Sequence, residues 1–199
     1  MCGGIGAGKS TVAELLAECG AVVIDSDALS HAALNDPVIR AQLRRWWGPA
    51  VFDSSGRVDR QAVAGIVFKT PPENERLKGL LYPWIAAARR EQVAKLQVDP
   101  RVPLIVLNSP LLFEAGLDAE CDGIIFVDAE RDVRLARVRA TRGWSATELE
   151  RRENLQMPLD IKRAKADYIL RNNSSIDELR VEIKTLFPRL VRNRADVGP

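Results

Sequence analysis

The chain has 199 residues, of which 46% are hydrophobic, and its 29 basic and 27 acidic residues leave a formal net charge of +2. This length suits one domain, or one domain with an insertion, and the hydrophobic content is ample for a packed core. The near balance of charge is not typical of proteins that bind nucleic acids or membrane surfaces.

The three cysteines, Cys2, Cys19 and Cys121, follow neither metal-ligand nor disulfide spacing. No apolar run approaches the about 18 residues of a membrane span, and no signal peptide is apparent. We therefore expect a cytoplasmic protein with no nucleic-acid or membrane partner.

The segment GGIGAGKS at residues 3–10, followed by Thr11, matches the phosphate-binding pattern G-x-x-x-x-G-K-[ST], called the P-loop. Glycines permit a tight turn and a close approach of backbone to ligand, so that loop N–H groups surround phosphate oxygens. In such a loop Lys9 carries positive charge to the β- and γ-phosphates, and the Ser10 hydroxyl ligates Mg²⁺. The alternative is a glycine-rich turn with a chance Lys-Ser pair, which would need four glycines in register by coincidence.

A strand of about five or six residues normally precedes this loop. Only Met1 and Cys2 stand before Gly3, so either the chain starts late or the fold lacks a central strand. We favour a late start, because a phosphate loop without a supporting strand would be poorly held. The sequence thus predicts no first strand within the chain.

The next residues predict a helix followed by a strand. Residues 11–19 have apolar positions at helical spacing before Gly20, and residues 21–24 form a short apolar run typical of a buried parallel strand. The strand leads to Asp25 and Asp27, and catalytic groups in open α/β sheets commonly follow the carboxyl end of a strand. Asp27 is therefore a candidate to meet a substrate hydroxyl; the alternative is that one of these carboxylates only caps the next helix.

Residues 28–97 are predicted to be helical. Three amphipathic helices are expected there, over residues 36–47, 59–68 and 71–97. We expect Pro83 to kink the last of them, and Trp46 and Trp47 to pack in a core. The only histidine, His31, is expected to be an ordinary polar residue. The stretch is too long for a simple crossover, which favours a helical insertion that covers a second substrate.

Three more apolar runs are predicted as strands, over residues 104–107, 124–127 and 167–170. An arginine-rich segment, residues 133–142, is predicted to be a helix that ends at Arg142, and Ser145 with Glu148 forms a capping-box pattern for the helix that follows. Two helices joined by a basic turn are typical of a lid that closes over phosphates and supplies an arginine. The other arginines of the first helix are expected to form a solvated face: Arg134, Arg137 and Arg139.

The last helix is predicted over residues 174–187, with a frayed polar tail after Pro188. Strands that alternate with helices after a P-loop predict a three-layer α/β fold with a parallel sheet, here with a helical insertion and a helical lid. The expected divisions are a nucleotide-binding core over residues 1–27 and 99–199, an insertion over 28–98, and a lid over about 138–158.

Other classes of P-loop protein fit less well. A GTPase would carry N-K-x-D after a strand, whereas Lys165-Ala166-Asp167 precedes a strand and lacks the asparagine. A motor ATPase would end a hydrophobic run in Asp-Glu, whereas the run that reaches Asp128 continues with Ala129. A small kinase with a lid and a helical acceptor domain remains.

An ordered set of motifs resembles the dephospho-coenzyme A kinase family over nearly the whole chain. The set comprises the P-loop, VIDSD at 23–27, GRVDR at 56–60, PLLFE at 110–114 and QMPL at 156–159, with Lys162, Ala166-Asp167 and Asn172. The chain departs from the family pattern where His31 replaces an arginine, Tyr82 replaces a histidine and Asn108 replaces an acid. These departures concern contacts with the substrate.

The resemblance implies transfer of the γ-phosphoryl group of ATP to the ribose 3′-hydroxyl of dephospho-CoA, the last step of coenzyme A biosynthesis. It implies that Asp27 is the base and that Lys9 and Arg142 are catalytic cations. Two alternatives stay open: a kinase of another small hydroxyl compound, such as a nucleoside monophosphate or sugar acid, and a non-catalytic nucleotide-binding protein.

The resemblance also implies binding residues. Those for ATP are Gly4, Gly6, Ala7, Gly8, Lys9, Ser10, Thr11 and Asn172, with Asn172 near the adenine and Ser10 on Mg²⁺. Those for the acceptor are Asp27, Arg60, Tyr82, Pro110 and Leu111. A monomer or weak homo-oligomer is expected.

Overall fold

The computed structural model describes the backbone of residues 1–196 and the side chains through residue 192. The chain divides into two compact units. The first comprises Met1–Ile24 and Asp99–Pro199, and the second is Asp25–Val98. Among the described residues, no helix is both long enough and apolar enough to cross a membrane.

Five strands and nine α-helices are assigned within the described residues. The strands are β1 (Cys2–Gly3), β2 (Val22–Asp25), β3 (Ile105–Asn108), β4 (Ile125–Asp128) and β5 (Tyr168–Arg171). The helices are α1 (Lys9–Glu18), α2 (Ser26–Asn35), α3 (Pro37–Trp47), α4 (Arg60–Val67), α5 (Pro71–Gln97), α6 (Arg131–Arg142), α7 (Ala146–Glu153), α8 (Leu159–Ala164) and α9 (Ile176–Asp196).

Two groups of strands form the sheet of the first unit. Strands β1, β4 and β5 pair in parallel in that order, with Cys2 opposite Phe126. Strands β2 and β3 pair with each other. The Met1 nitrogen donates to Leu107 O at 2.7 Å, and Ser109 N donates to Met1 O at 3.1 Å. These bonds place β3 beside β1, so the strand order is β2-β3-β1-β4-β5.

The prediction that no first strand precedes the phosphate loop is wrong. Cys2 and Gly3 form β1, which is only two residues long and is defined by its pairing with β4. Gly3 allows a close approach, because a Cβ at this position would overlap the Val127 carbonyl group. Cys2 is fully buried, and its pairing with β4 defines the strand although the run is short.

Helices and loops cover both faces of this sheet, which gives three layers. Along β4, Ile125 and Val127 belong to a core cluster with α1 and α9, whereas Phe126 belongs to a second cluster with residues of the 112–117 segment. This alternation is the period of two that a strand imposes. The predicted three-layer α/β fold with a parallel sheet is confirmed.

Helix α9 runs further than expected. It continues through Pro188 to Asp196, so the prediction of a frayed tail after Pro188 is wrong over the described residues; residues 197–199 lie outside them. Leu190 is only 8% exposed and belongs to the same core cluster as Ile183. Burial of this apolar side chain stabilises the turn after the proline, although Pro188 removes one backbone hydrogen bond.

The second unit is helical, as predicted, and comprises α2 to α5. Its core contains Leu43, Val51 and Leu81, against which Trp46 and Trp47 pack, as the sequence indicated. Two indole N–H groups find acceptors inside the unit: Trp84 Nε1 donates to Asp36 Oδ2 at 3.0 Å, and Trp47 Nε1 donates to Glu73 Oε2 at 2.8 Å. Pro83 lies inside α5.

Candidate active site

The segment GGIGAGKS connects β1 to α1, which is the strand–loop–helix context that the P-loop pattern requires. Gly6 and Gly8 have φ of 77° and 86°, in the left-handed region that favours glycine. Gly8 is the residue before α1, and no side chain caps that helix. The first-turn N–H groups of a helix have no intrahelical acceptor, so this end of α1 can bind an anion.

Lys9 lies over the loop that precedes it. Its Nζ donates to Gly3 O at 3.0 Å and to Gly4 O at 2.9 Å. These hydrogen bonds hold the ammonium group at the loop, where a phosphate chain would need a positive charge. Ser10 is exposed and Thr11 is half-buried, both in the first turn of α1.

Glycine is required in the loop because two neighbouring elements pack directly against it. A Cβ on Gly8 would overlap the side-chain amide of Asn172, which follows β5. A Cβ on Gly6 would stand 2.7 Å from Arg134 O in α6. The loop is therefore supported by α6 and by the end of β5.

Asn172 joins the loop to the sheet. Its Nδ2 donates to Ala7 O at 2.8 Å, and its backbone N–H donates to Asp128 O at 2.7 Å at the end of β4. Arg137 donates to Asn172 Oδ1 at 3.3 Å and to Ala7 O at 3.4 Å. The sequence prediction placed Asn172 near the adenine; the structure places it against the loop, and its contact with a nucleotide stays a prediction.

The expectation of a solvated arginine face on α6 is wrong for two of its three residues. Arg134 is 5% exposed, donates to Ala129 O at 3.1 Å and to Ile5 O at 3.4 Å, and pairs with Glu153 of α7. Arg137 contacts Ala7 as described above. This face of α6 lies against the carbonyl groups of the phosphate loop. A helical sequence pattern does not reveal where that loop lies. Arg139 is exposed, as expected.

Arg142, the predicted lid arginine, is the last residue of α6 and is exposed. Gly143 ends the helix in the left-handed conformation with φ of 67°. The Arg142 guanidinium carbon lies 4.8 Å from the centre of the Trp144 ring. The predicted cap of the next helix is confirmed, because Ser145 Oγ accepts from Glu148 N at 3.1 Å.

An ion pair between a buried lysine and a partly exposed glutamate joins α8 to the PLLFE motif. The fully buried Lys162 of α8 donates to Pro110 O at 2.8 Å and lies 2.8 Å from Glu114 Oε1. The same carboxylate oxygen accepts from Met157 N at 2.7 Å. Burial by itself raises the pKa of Glu114, but the hydrogen bonds from Lys162 and Met157 N–H outweigh it and hold the pKa below its usual value. Leu111 is half-buried in this segment.

The remaining predicted residues belong to the second unit. Asp25 caps α2, since its side chain accepts from Ala28 N at 2.9 Å, while Asp27 is exposed in the first turn of that helix. Arg60 is exposed at the start of α4, and Tyr82 is 46% exposed in α5. Their roles toward an acceptor remain predictions.

Sequence reasoning assigned no role to three residues that the structure places at or near the loop, which are Arg134, Arg137 and Trp144, or to the buried Lys162. Lys162 was part of a recognised motif, but nothing in the pattern indicated that its charge is buried. Trp144 stands directly after the predicted lid arginine and Gly143, and an aromatic residue beside an arginine is the signal that would have indicated their contact.

A glycine loop between a parallel strand and a helix, a lysine folded onto that loop, and the arginines of α6 packed against it define a P-loop nucleotide-binding protein. The chain matches the dephospho-CoA kinase family over residues 1–178. It therefore belongs to the dephospho-CoA kinase family.

Individual relatives agree with this family. The chain is 37% identical over 179 residues to the dephospho-CoA kinase of Anaeromyxobacter dehalogenans, covering 89% of this chain and 84% of that protein. It is 36% identical over 188 residues to the dephospho-CoA kinase of Thermus thermophilus, covering 94% and 89% of the two chains.

Two solved structures share the fold. The crystal structure of TT1252 from Thermus thermophilus superposes with a TM-score of 0.80 at 36% identity over 95% of both chains. The dephospho-CoA kinase from Campylobacter jejuni superposes with a TM-score of 0.73 at 22% identity, over 97% of this chain and 96% of that one, which shows the fold alone.

Proposed function

We propose that this chain transfers the γ-phosphoryl group of ATP to the ribose 3′-hydroxyl of dephospho-CoA and so forms CoA and ADP. Its membership of the dephospho-CoA kinase family supports this reaction. The position of Lys9 is the structural observation that carries the proposal. Its ammonium group is held 3.0 and 2.9 Å from two carbonyl oxygens of the P-loop.

The donor is bound by the loop and the start of α1. Phosphoryl transfer depends on positioning and charge neutralisation more than on covalent chemistry. The loop N–H groups and the helix end surround the phosphates, and Lys9 neutralises the β- and γ-phosphate oxygens. Gly4, Gly6, Ala7, Gly8 and Thr11 provide backbone contacts in this proposal.

The residues also fit a magnesium ion. Mg²⁺ in such sites takes one or two protein oxygens together with phosphate oxygens and water. The exposed Ser10 hydroxyl, in the first turn of α1, offers one such oxygen. When bound, Mg²⁺ neutralises phosphate charge and orients the leaving group. We propose Ser10 as its ligand.

The acceptor is activated by Asp27 in this proposal. The 3′-hydroxyl oxygen forms a bond to the γ-phosphorus as the bond to the ADP oxygen breaks, and the hydroxyl proton passes to the Asp27 carboxylate. Arg142, at the end of α6 within the proposed lid (residues 138–158), neutralises the charge that develops on the transferring group.

The second unit is proposed to bind the acceptor. Arg60 and Tyr82 are exposed on it and so are accessible to a substrate. In the first unit, Pro110 and Leu111 belong to the same proposed set, and the Lys162–Pro110 hydrogen bond fixes the backbone there. We propose that a monomer or weak homo-oligomer is the active form.

The test is ADP release by the purified chain with Mg-ATP, with and without dephospho-CoA, and with CoA as the matched control. CoA carries a phosphate on the 3′-oxygen, so it offers no acceptor hydroxyl there. We expect dephospho-CoA alone to stimulate ADP release and to yield CoA. Stimulation by another hydroxyl compound but not by dephospho-CoA would contradict the proposed substrate, and ATP binding without any acceptor-dependent turnover would contradict a catalytic role.

A further inference from the structure

Trp144 lies in a small apolar cluster beside the P-loop. The cluster is formed by Leu135, Val138 and Leu149, which are at most 9% exposed, with Ile5, Trp144 and Ala146 packed against it. It therefore joins α6, α7 and a residue of the phosphate loop. The indole and a residue of the phosphate loop therefore pack against the same cluster.

Two guanidinium groups lie over the Trp144 ring. The Arg152 guanidinium carbon is 4.1 Å from the ring centre, and that of Arg142 is 4.8 Å from it. Both distances are within the range of a cation–π interaction. Trp144 is thus attached to both helices that flank the turn between α6 and α7.

Arg152 is itself fixed. Its Nε donates to Glu148 Oε1 at 2.6 Å, and the same carboxylate accepts two hydrogen bonds from Arg151. Arg142 differs, because it is an exposed residue at the end of its helix. A long exposed arginine side chain samples many rotamers, and holding it in one position costs conformational entropy. Contact with an indole anchored by a packed cluster reduces this cost.

We propose that Trp144 is a positioning residue that holds the Arg142 guanidinium ready for the transferring phosphoryl group. This inference rests on the proposed function, since it assigns to Trp144 an effect on the step in which Arg142 acts. We assign the effect to turnover and not to acceptor affinity, because Trp144 acts through Arg142 in this proposal. An aromatic ring at position 144 is required to hold the guanidinium, and an aliphatic side chain of similar size is not sufficient.

The first experiment measures kcat and the KM values for ATP and dephospho-CoA in W144L, W144F, R142Q and the double variant W144L/R142Q. We expect W144L to lower kcat about five-fold, which is about 1 kcal/mol converted at about 1.4 kcal/mol per tenfold, with little change in the acceptor KM. W144F keeps an aromatic face and should recover most of that loss. W144L should have no further effect once Arg142 is absent.

Two results would overturn the inference. One is an equal loss for W144L in the presence and absence of Arg142, because a purely structural role predicts that outcome. The other is a kcat of W144L equal to that of the unsubstituted chain. R139Q is the matched control, since Arg139 is an exposed arginine on the same helix, and its kcat should not change. Circular dichroism and thermal unfolding show whether each variant folds.

A spectroscopic readout separates this inference from the proposed function. Of the four tryptophans, Trp144 alone lies outside the Asp25–Val98 unit, so its emission is obtained as the difference between the unsubstituted chain and W144F. Removal of the guanidinium in R142Q should change that difference spectrum. If the unsubstituted chain shows no acceptor-dependent turnover, the proposed function fails; if the difference spectrum is also the same with and without Arg142, the inference on Trp144 fails as well. If the chain is inactive but the spectrum depends on Arg142, the contact between Trp144 and Arg142 exists but has no role in phosphoryl transfer.

Discussion

The side-chain amide of Asn172 donates to the carbonyl oxygen of Ala7 at 2.8 Å, so the residue after β5 holds the middle of the phosphate loop. The amide is buried, with Asn172 only 5% exposed, and it also accepts from Arg137. Its amide is the nearer of two donors to Ala7 O, the other being Arg137 at 3.4 Å, and a net hydrogen bond of this kind contributes about 1 kcal/mol. The conformation of the loop therefore depends on a residue that is distant in sequence.

Replacement of this amide should weaken ATP binding. In Asn172→Asp, a carboxylate oxygen would face the Ala7 carbonyl oxygen, and two acceptors in contact repel each other. We expect a rise of about tenfold in the dissociation constant for Mg-ATP, which corresponds to about 1.4 kcal/mol. Titration calorimetry measures it directly.

Asn173→Asp is the control for that substitution. Asn173 is the exposed neighbour, and its side chain exchanges hydrogen bonds with Glu130 at 2.8 and 3.2 Å, away from the loop. The same chemical change there should leave ATP affinity nearly as it was. Equal affinities for the two variants would show that the contact with Ala7 does not support the loop.

Gly8→Ala should abolish most ATP binding. The residue has φ of 86°, and an added Cβ would overlap the Asn172 amide, so either the loop or the amide that donates to Ala7 O must shift. Gly116→Ala is a matched control, because Gly116 has φ of 66° with nothing within 4 Å of its Cβ position. Both variants bear the left-handed strain of about 1–2 kcal/mol in thermal unfolding. Only Gly8→Ala should lose ATP in a binding assay, and equal ATP affinities would refute the steric argument.

The phosphate loop and the alternation of strands and helices were predictable, because their signals are local. The pattern at residues 3–10 and the apolar runs need no knowledge of distant contacts, and most element ends fall within about two residues of the prediction. Strand β1 and the end of α9 were not predictable, since pairing with β4 and the burial of Leu190 decide them. Tertiary contacts override local signals at both places.

Part of the site could not be predicted for the same reason. The motifs identified Lys9 and Asn172, but they did not show that Asn172 contacts Ala7. Helix α8 is only six residues long and gave no clear periodic signal, so the burial of Lys162 went unseen. The role of a buried cation on a short helix becomes apparent only when the positions of the groups that it contacts are known.

Loss of the buried Lys162 charge should destabilise the first unit. In Lys162→Met, Pro110 O loses its donor, and the partly exposed Glu114 keeps the Met157 N–H but loses its cation. We expect a loss of about 1–3 kcal/mol. The double variant with Glu114→Gln should recover part of this loss, because no uncompensated charge is left. Urea unfolding measures the free energies, with Lys184→Met on the exposed side of α9 as the control that changes little.

The same pair predicts a pH dependence. The folded pKa of Glu114 lies below its usual value, so its contribution to stability is present above the unfolded pKa of about 4.3 and is lost as pH falls through the folded value. Glu114→Gln should remove this part of the acid dependence. An unchanged pH profile in that variant, alongside a large effect of Lys162→Met, would contradict the assigned ion pair.

Glu148 should titrate far below an ordinary glutamate. Hydrogen bonds from Arg151 and then Arg152 lower the pKa of its carboxyl from 4.5 to about 2. A depressed pKa means that these contacts stabilise α7 above about pH 4.5 and lose that effect as pH falls toward about 2. NMR titration of the Glu148 side-chain carbon measures the pKa, and Arg151→Gln should raise it. An ordinary pKa in the unsubstituted chain would show that the ion pairs do not persist in solution.

Asp27→Asn should reduce turnover while ATP affinity stays nearly the same. The proposed base is lost, and a positioned general base contributes about 10²-fold or more to rate, whereas the donor site contains the P-loop and not this residue. Asp25→Asn is the comparison, because asparagine caps a helix as well as aspartate does and should retain the hydrogen bond from Ala28 N. Measurement of kcat and of ATP binding for both variants, with Lys9→Ala as the variant that should lose both, separates the roles. If Asp25→Asn loses turnover and Asp27→Asn does not, the base is Asp25; if neither loses it, proton transfer to a carboxylate at the end of β2 is not part of the reaction.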